Sequence, residues 1–245
     1  VSLRITAATT ARVLRQLSHD HRTIALLLVV PLVLLFLINA LLDGNQILFD
    51  RIGLTMLGIF PFIIMFLVTS IAMLRERTTG TLERLLTTPL GKADLLAGYG
   101  LAFGLAATVQ ASAATAFAYW VFDLRTAGPA WLVVVVAAVN AVLGVALGLL
   151  ASAFARTEFQ AVQFMPVIVF PQLFGCGLFV PREQMAGWLQ ALSDVFPLTY
   201  AVQALQQIGA NTGATETMWR DLGIVVAVVV VALALGSITL RRRTG

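Results

Sequence analysis

Apolar and polar positions are segregated along this chain into long blocks. Six blocks, Ile24–Leu42, Ile52–Leu74, Leu95–Phe122, Ala130–Ala155, Phe159–Val180 and Leu222–Leu240, contain no Asp, Glu, Lys, Arg or His. Each is 19 to 28 residues long, and a helix needs roughly 20 apolar residues to cross the hydrocarbon core of a bilayer. The blocks predict six transmembrane helices in a single all-α, polytopic domain over residues 1–245, with no soluble domain of any size. The first block follows a basic segment, as a signal peptide would. It is longer than a signal core of roughly 7–15 residues, and "LINALLDG" is a poor cleavage site, so it is read as a retained helix.

Three polar segments carry their own helical pattern. In residues 2–18, Leu3, Ala7, Thr10, Leu14 and Leu17 recur at heptad-like spacing, with Arg4, Arg12 and Arg15 on other faces. That pattern predicts a helix lying in the membrane interface with its arginines toward anionic headgroups; a frayed basic tail is the plainer alternative. Residues 75–94 are the most charged stretch between two blocks. There Leu82, Leu85 and Leu86 form a small apolar ridge beside Glu83 and Arg84, and Pro89 and Gly91 end the piece. A short surface helix or an ordinary interfacial loop fits this stretch. In 181–221, Met185, Trp188, Leu189 and Leu192 fall at i, i+3, i+4 and i+7, and Pro197 starts a second piece with Tyr200, Ala201, Ala204 and Leu205 on one face. Both pieces are too short and polar to span, and are expected at the interface with Trp188 and Tyr200 at headgroup level.

Within the blocks, Pro61 is expected to kink the second span, and Pro166 and Pro171 to bend or break the fifth. Gly100 with Gly104 and Gly144 with Gly148 are four apart and permit close helix approach. Gln110, Asn140, Gln160, Gln163 and Gln172 are the polar side chains at or near membrane depth. They bond neighbouring helices or, for Gln110, Asn140, Gln163 and Gln172, line a transport pathway.

Composition sharpens this picture. The chain is 59% hydrophobic and 11% charged, with net charge +4. Six spans place residues 1–23, 75–94, 156–158 and 241–245 on one side, and these segments hold twelve of the sixteen Lys and Arg residues. The positive-inside rule puts that side, and both termini, in the cytoplasm. The basic balance is thus topological, and no folded basic face is available for nucleic acid. Energy-coupling relays in membranes use intramembrane acids or histidines, and the blocks hold none. No P-loop motif occurs, His19 and His21 lack companions at metal-ligand spacing, and no serine sits in a nucleophile-elbow motif. Cys176, the single cysteine, is a small apolar residue of the fifth block. The picture is of a passive conduit pushed from outside, with no catalytic, metal or cofactor site of its own.

"RERTTGTLERLLTTPL" (75–90) and "FGCGLFVPREQMAGWLQALSDVFPLTYAVQAL" (174–205) resemble two motifs of the type-2 ABC exporter permeases, in the antibiotic and drug-resistance branch. Arg75 precedes Glu76 at a position expected to vary, and Ala186 stands where the family motif has proline. The resemblance covers essentially the whole chain. It implies a half-transporter that pairs with a second permease, as homodimer or heterodimer, and with two separate ATPase subunits that carry the ATP and Mg. It implies that Glu76, Leu82, Glu83, Arg84, Leu85 and Leu86 couple to the ATPase. It further implies that Met185, Trp188, Leu189, Leu192, Pro197 and Tyr200 belong to re-entrant outer helices that close the exit. The expected activity is outward movement of an amphipathic drug, antibiotic or lipid-like substrate across the cytoplasmic membrane. Export of a lipid-linked glycan, or a non-transporting scaffold of the same fold, are the alternatives.

Overall fold

A computed structural model describes residues 2–79 and 91–239, which are predominantly helical and contain no strand. The helices are α1 (Leu3–His19), α2 (His21–Leu41), α3 (Gln46–Thr78), α4 (Lys92–Val121), α5 (Ala130–Ser152), α6 (Glu158–Gly175), α7 (Gly187–Ser193), α8 (Pro197–Ala210) and α9 (Glu216–Thr239), with a 3₁₀ turn at Arg182–Gln184.

Helix starts follow local chemistry. The Asp20 carboxylate accepts from the Thr23 amide at 3.1 Å and its hydroxyl at 2.7 Å, capping α2. Asn45 accepts from Leu48 N to cap α3, and Thr157 from Gln160 N to cap α6. Pro197 opens α8 at a position where its missing N–H costs nothing.

Among the described residues, five helices are long and apolar enough to cross a membrane: His21–Leu41, Gln46–Thr78, Asp94–Val121, Ala130–Ser152 and Glu216–Thr239. The expected span at Phe159–Val180 is the exception. Its helix, α6, stops at Gly175, and Gly177 then takes φ +89°, a left-handed turn that suits glycine. Its 18 residues measure about 27 Å, slightly under a hydrocarbon core of about 30 Å. Glu158, three glutamines and two prolines dilute its apolar character. It is nevertheless one continuous helix through Pro166 and Pro171, so of the expected bend or break the break does not occur. α3 also runs through Pro61 as a single helix of 33 residues.

The α3–α5 pair forms the centre. A Cβ built on Gly144 would collide with the Phe62 carbonyl, and one on Gly148 with the Thr69 hydroxyl and the Phe66 carbonyl. The two backbones are this close because glycine puts nothing between them. Gly100 and Gly104 do not act this way: their added Cβ atoms would meet Leu233 and Val142 at ordinary contact distance. Helices α4 and α9 flank α5, while α2 lies outside α3 and buries only Leu27, Pro31 and Leu35. α8 is wedged against α3 and α9, with Leu198, Ala201, Val202, Ala204, Leu205 and Ile208 fully buried.

Candidate functional site

At the end of the bundle that carries α1, three elements surround the chain's entry to and exit from residues 80–90. α1 docks on α4 with Thr6, Thr9 and Val13 buried; of the predicted stripe, Thr10, Leu14 and Leu17 lie at the edge of this contact, while Leu3, 86% exposed, and Ala7 face away. The docking depends on Gly98, whose added Cβ would lie 2.6 Å from Thr9 Cβ. Two hydroxyls of this threonine face find acceptors: Thr9 Oγ1 donates to Ile5 O, and Thr10 Oγ1 to Thr6 O and Gly98 O, while the Thr6 hydroxyl is buried without a partner.

This docking carries Arg12 inward rather than toward headgroups. Its guanidinium lies 3.3 Å from the Glu76 carboxylate in the last turn of α3 and donates to the Tyr99 hydroxyl of α4 at 2.9 Å. It also sits 5.7 Å from the Tyr99 ring centroid. A carboxylate near a helix C-terminus opposes the helix dipole, and Arg12 supplies the compensating charge. At the opposite edge, Asp94 in the first turn of α4 accepts from Ser2 N at 2.6 Å and Gly91 N at 3.2 Å. Arg75 pairs with Glu158 at 2.6 Å, and Arg77 bonds the Ser152 carbonyl. Thus α1, α3, α4, α5 and α6 are tied together around this end. A cleft of about 490 Å³ opens there between Leu17, Leu26, Val68, Glu76, Tyr99 and Phe103. Just outside the spans, hydrogen bonds from Thr23, its hydroxyl foremost, hold the Asp20 carboxyl below its usual value.

Of the expected coupling residues, Glu76 is in this cluster, whereas Leu82, Glu83, Arg84, Leu85 and Leu86 lie outside the described residues. Tyr99 and Asp94 are not singled out in the sequence, and Arg12 is read there only as a headgroup-facing arginine. Asp94 had a legible signal, an acid three residues after Gly91 at a helix start. Arg12 and Tyr99 had none, since each meets Glu76 only through packing.

At the other end, α7 is seven residues long and buries only Ser193. The expected stripe divides there: Met185 and Leu189 are half-buried, while Trp188 is 72% and Leu192 42% exposed. Tyr200, half-buried on α8, donates its hydroxyl to Asp194 O at 2.7 Å, bridging α7 and α8 across the turn that ends at Pro197. Arg182 donates to Ser193 Oγ at 3.1 Å and pairs with Asp194, holding the preceding turn against α7.

The four pathway candidates are not brought together. Gln110 donates to the Leu27 carbonyl of α2 at 2.9 Å, and Asn140 to the Gly58 carbonyl of α3 at 2.8 Å. Gln172 donates to Ile168 O within its own helix, and its Oε1 accepts from Leu198 N. Gln163 is exposed. Three of the four therefore serve as hydrogen-bond partners within the fold.

A family model described as ABC-2 type transporter matches residues 5–209. The chain is 30% identical over 156 residues, 64% of its length, to the probable multidrug ABC transporter permease YbhR of Escherichia coli K12. It is 27% identical over 168 residues, 69% of its length, to the linearmycin resistance permease protein LnrN of Bacillus subtilis. It is 32% identical over 83 residues, 34% of its length, to the daunorubicin resistance ABC transporter permease protein DrrB1 of Streptomyces coeruleorubidus. These matches cover 42%, 43% and 26% of the three relatives, so the chain spans less than half of each.

Proposed function

Because the chain belongs to the ABC-2 type transporter family, we propose that it is the transmembrane subunit of an ATP-driven exporter of amphipathic drugs or antibiotics. The family match over residues 5–209 is the observation that carries this reading. The relatives' names, with their multidrug, linearmycin and daunorubicin resistance, support the substrate class. In this reading α6 is a sixth, short span, both termini face the cytoplasm, and the protein sits in the cytoplasmic membrane. Two copies, or one copy and a related permease, form the pathway with two separate ATPase subunits, which bind the ATP and Mg; this chain is not catalytic.

Residues 80–90 then enter the ATPase, with Leu82, Leu85 and Leu86 as apolar anchors and Glu83 and Arg84 at the rim. Force reaches the bundle through the elements that bracket this segment. α3 enters it with Glu76, α4 leaves it with Asp94, and α1 is bonded to both. At the outer end, α7 and the start of α8 are re-entrant pieces that close the exit.

Coexpression with a candidate P-loop ATPase tests the reading. The permease is expected to co-purify with the ATPase and to support ATP-dependent efflux. A Leu82/Leu85/Glu83 triple alanine variant should lose both, since a buried leucine anchor is worth about 2 kcal/mol or more. Undiminished ATPase binding and drug-stimulated hydrolysis in that variant overturn the coupling assignment. Binding without any ATP-dependent movement of substrate points instead to a scaffold.

A further inference from the structure

The last apolar block is preceded by an acid, Asp221, that the transport reading leaves unused. Asp221 is wholly buried. Its Oδ1 accepts from Arg220 Nε at 3.2 Å and from a terminal guanidinium nitrogen at 3.0 Å, but its buried Oδ2 has no partner. An orphaned buried carboxylate oxygen is costly, and a donor reaching it would recover that cost. Asp221 lines a polar pocket of about 290 Å³ at the end of the bundle away from α1, between the starts of α3 and α9 and the chain after α6. Gln203, Gln206 and Gln207 of α8 form one wall. Glu183 is a second acid on the lining, and the Arg182 guanidinium there is already engaged by Ser193 and Asp194.

Two further cations face the same space. Arg51 is exposed, and its side chain has no hydrogen bond or ion pair among the described residues. Arg220 is 65% exposed and spends only part of its donor set on Asp221. The pocket therefore pairs an acceptor oxygen lacking a donor with one guanidinium, Arg51, that has no anion and a second, Arg220, whose donors Asp221 uses only in part. Its depth is informative. Arg51 immediately precedes the apolar block that starts at Ile52, and Asp221 the one that starts at Leu222. Exposed Trp188 and Trp219 lie at the same end, as tryptophans do at headgroup level.

We propose that this pocket binds the headgroup of a phospholipid that joins a phosphate to a primary ammonium, the ammonium at Asp221 Oδ2 and the phosphate between Arg51 and Arg220. A rotamer change of exposed Arg220 opens the way to the carboxylate and swings its guanidinium toward the phosphate. Bidentate guanidinium–phosphate pairing accounts for the anion, and an N–H donor is what Oδ2 lacks. A choline headgroup carries no such donor, and a glycerol headgroup no positive charge. The site depends on membrane embedding and on no property of the ATPase.

The test uses the full chain purified in detergent and titrated with short-chain phosphatidylethanolamine, phosphatidylcholine or phosphatidylglycerol, or with free phosphoethanolamine. Binding is followed by native mass spectrometry and tryptophan fluorescence. Phosphatidylethanolamine is expected to bind about tenfold or more tightly than either other lipid, as one charge-assisted hydrogen bond provides. Asp221→Asn should abolish that preference. Arg51→Gln, at an exposed position that does not threaten folding, should weaken phosphatidylethanolamine and phosphatidylcholine alike and keep their ratio. Equal affinity of the wild-type protein for the three lipids overturns the proposal. So does an Arg51→Gln variant that binds all of them as before. Free phosphoethanolamine binding as tightly as the lipid overturns the lipid as source and reassigns the pocket to a soluble solute. If Asp221→Asn does not fold, the wild-type ranking and Arg51→Gln still decide.

Discussion

Arg12 and Glu76 meet at 3.3 Å although 64 residues separate them, with only 29% and 14% of their side chains exposed. The contact joins the first helix to the last turn before residues 80–90. It is half-desolvated, so its loss leaves a charge that water solvates poorly.

Arg12→Ala and Glu76→Gln are each expected to destabilise the protein by about 1–3 kcal/mol. They should also lower drug-stimulated ATPase activity of the assembled transporter more than basal activity. The exchanged pair, Arg12→Glu with Glu76→Arg, should recover part of the stability but not the bond to Tyr99. Thermal unfolding in detergent, with ATPase assays on the same preparations, checks both. Wild-type stimulation in Glu76→Gln would remove this contact from the coupling route.

Equal spacing with unequal packing gives a direct contrast between glycines. Gly144→Ala drives a methyl into the Phe62 carbonyl and should cost about 1–3 kcal/mol through displacement of α3 from α5. Gly104→Ala meets Val142 Cγ2 at 3.6 Å and should be neutral or stabilise by up to about 1 kcal/mol, the ordinary gain of alanine over glycine in a helix. Melting temperatures of the two variants measured side by side decide the matter.

Asp20 provides a pH dependence. Thr23 holds its carboxyl below the usual 3.8. A depressed folded-state value means the cap contributes fully above the usual carboxylate range and fades as pH falls through the lowered value. Asp20→Ala should therefore cost about 1 kcal/mol near neutral pH, and the gap from wild type should close in strong acid. A gap that stays constant from pH 7 to pH 2 would mean that the cap acts without the charge.

Trp188 and Leu192 are exposed in the single chain. If α7 closes the exit of an assembled pair, cysteines at these positions, in a Cys176→Ser background, are protected at rest and labelled when ATP is trapped. A helix that only anchors the surface shows the same labelling in both states. Maleimide labelling of membrane vesicles with and without a trapped nucleotide state gives the comparison.

The blocks of apolar sequence were enough to place the long helices, because a stretch without charges that spans a bilayer has one way to satisfy its backbone. α2 follows its block within about three residues, and α9 ends with its block but starts at Glu216, ahead of it. α3 outruns its block at both ends, from Gln46 to Thr78, because polar residues continue a helix readily once it is nucleated. The fifth block misled on its end, since Cys176 to Val180 are apolar but Gly177 turns the chain. Side-chain partnership was another matter. Two glycine pairs with identical spacing behave differently because one faces a backbone and the other faces side chains. Arg12 turns inward rather than to headgroups because α1 docks by its threonine face on Gly98. Asp221 differs from other block-edge acids only because α8 and the chain after α6 close over it. Local sequence determines the helices through hydrogen bonds four residues apart; the neighbours of a side chain are chosen by packing between segments tens of residues away, which no local pattern records.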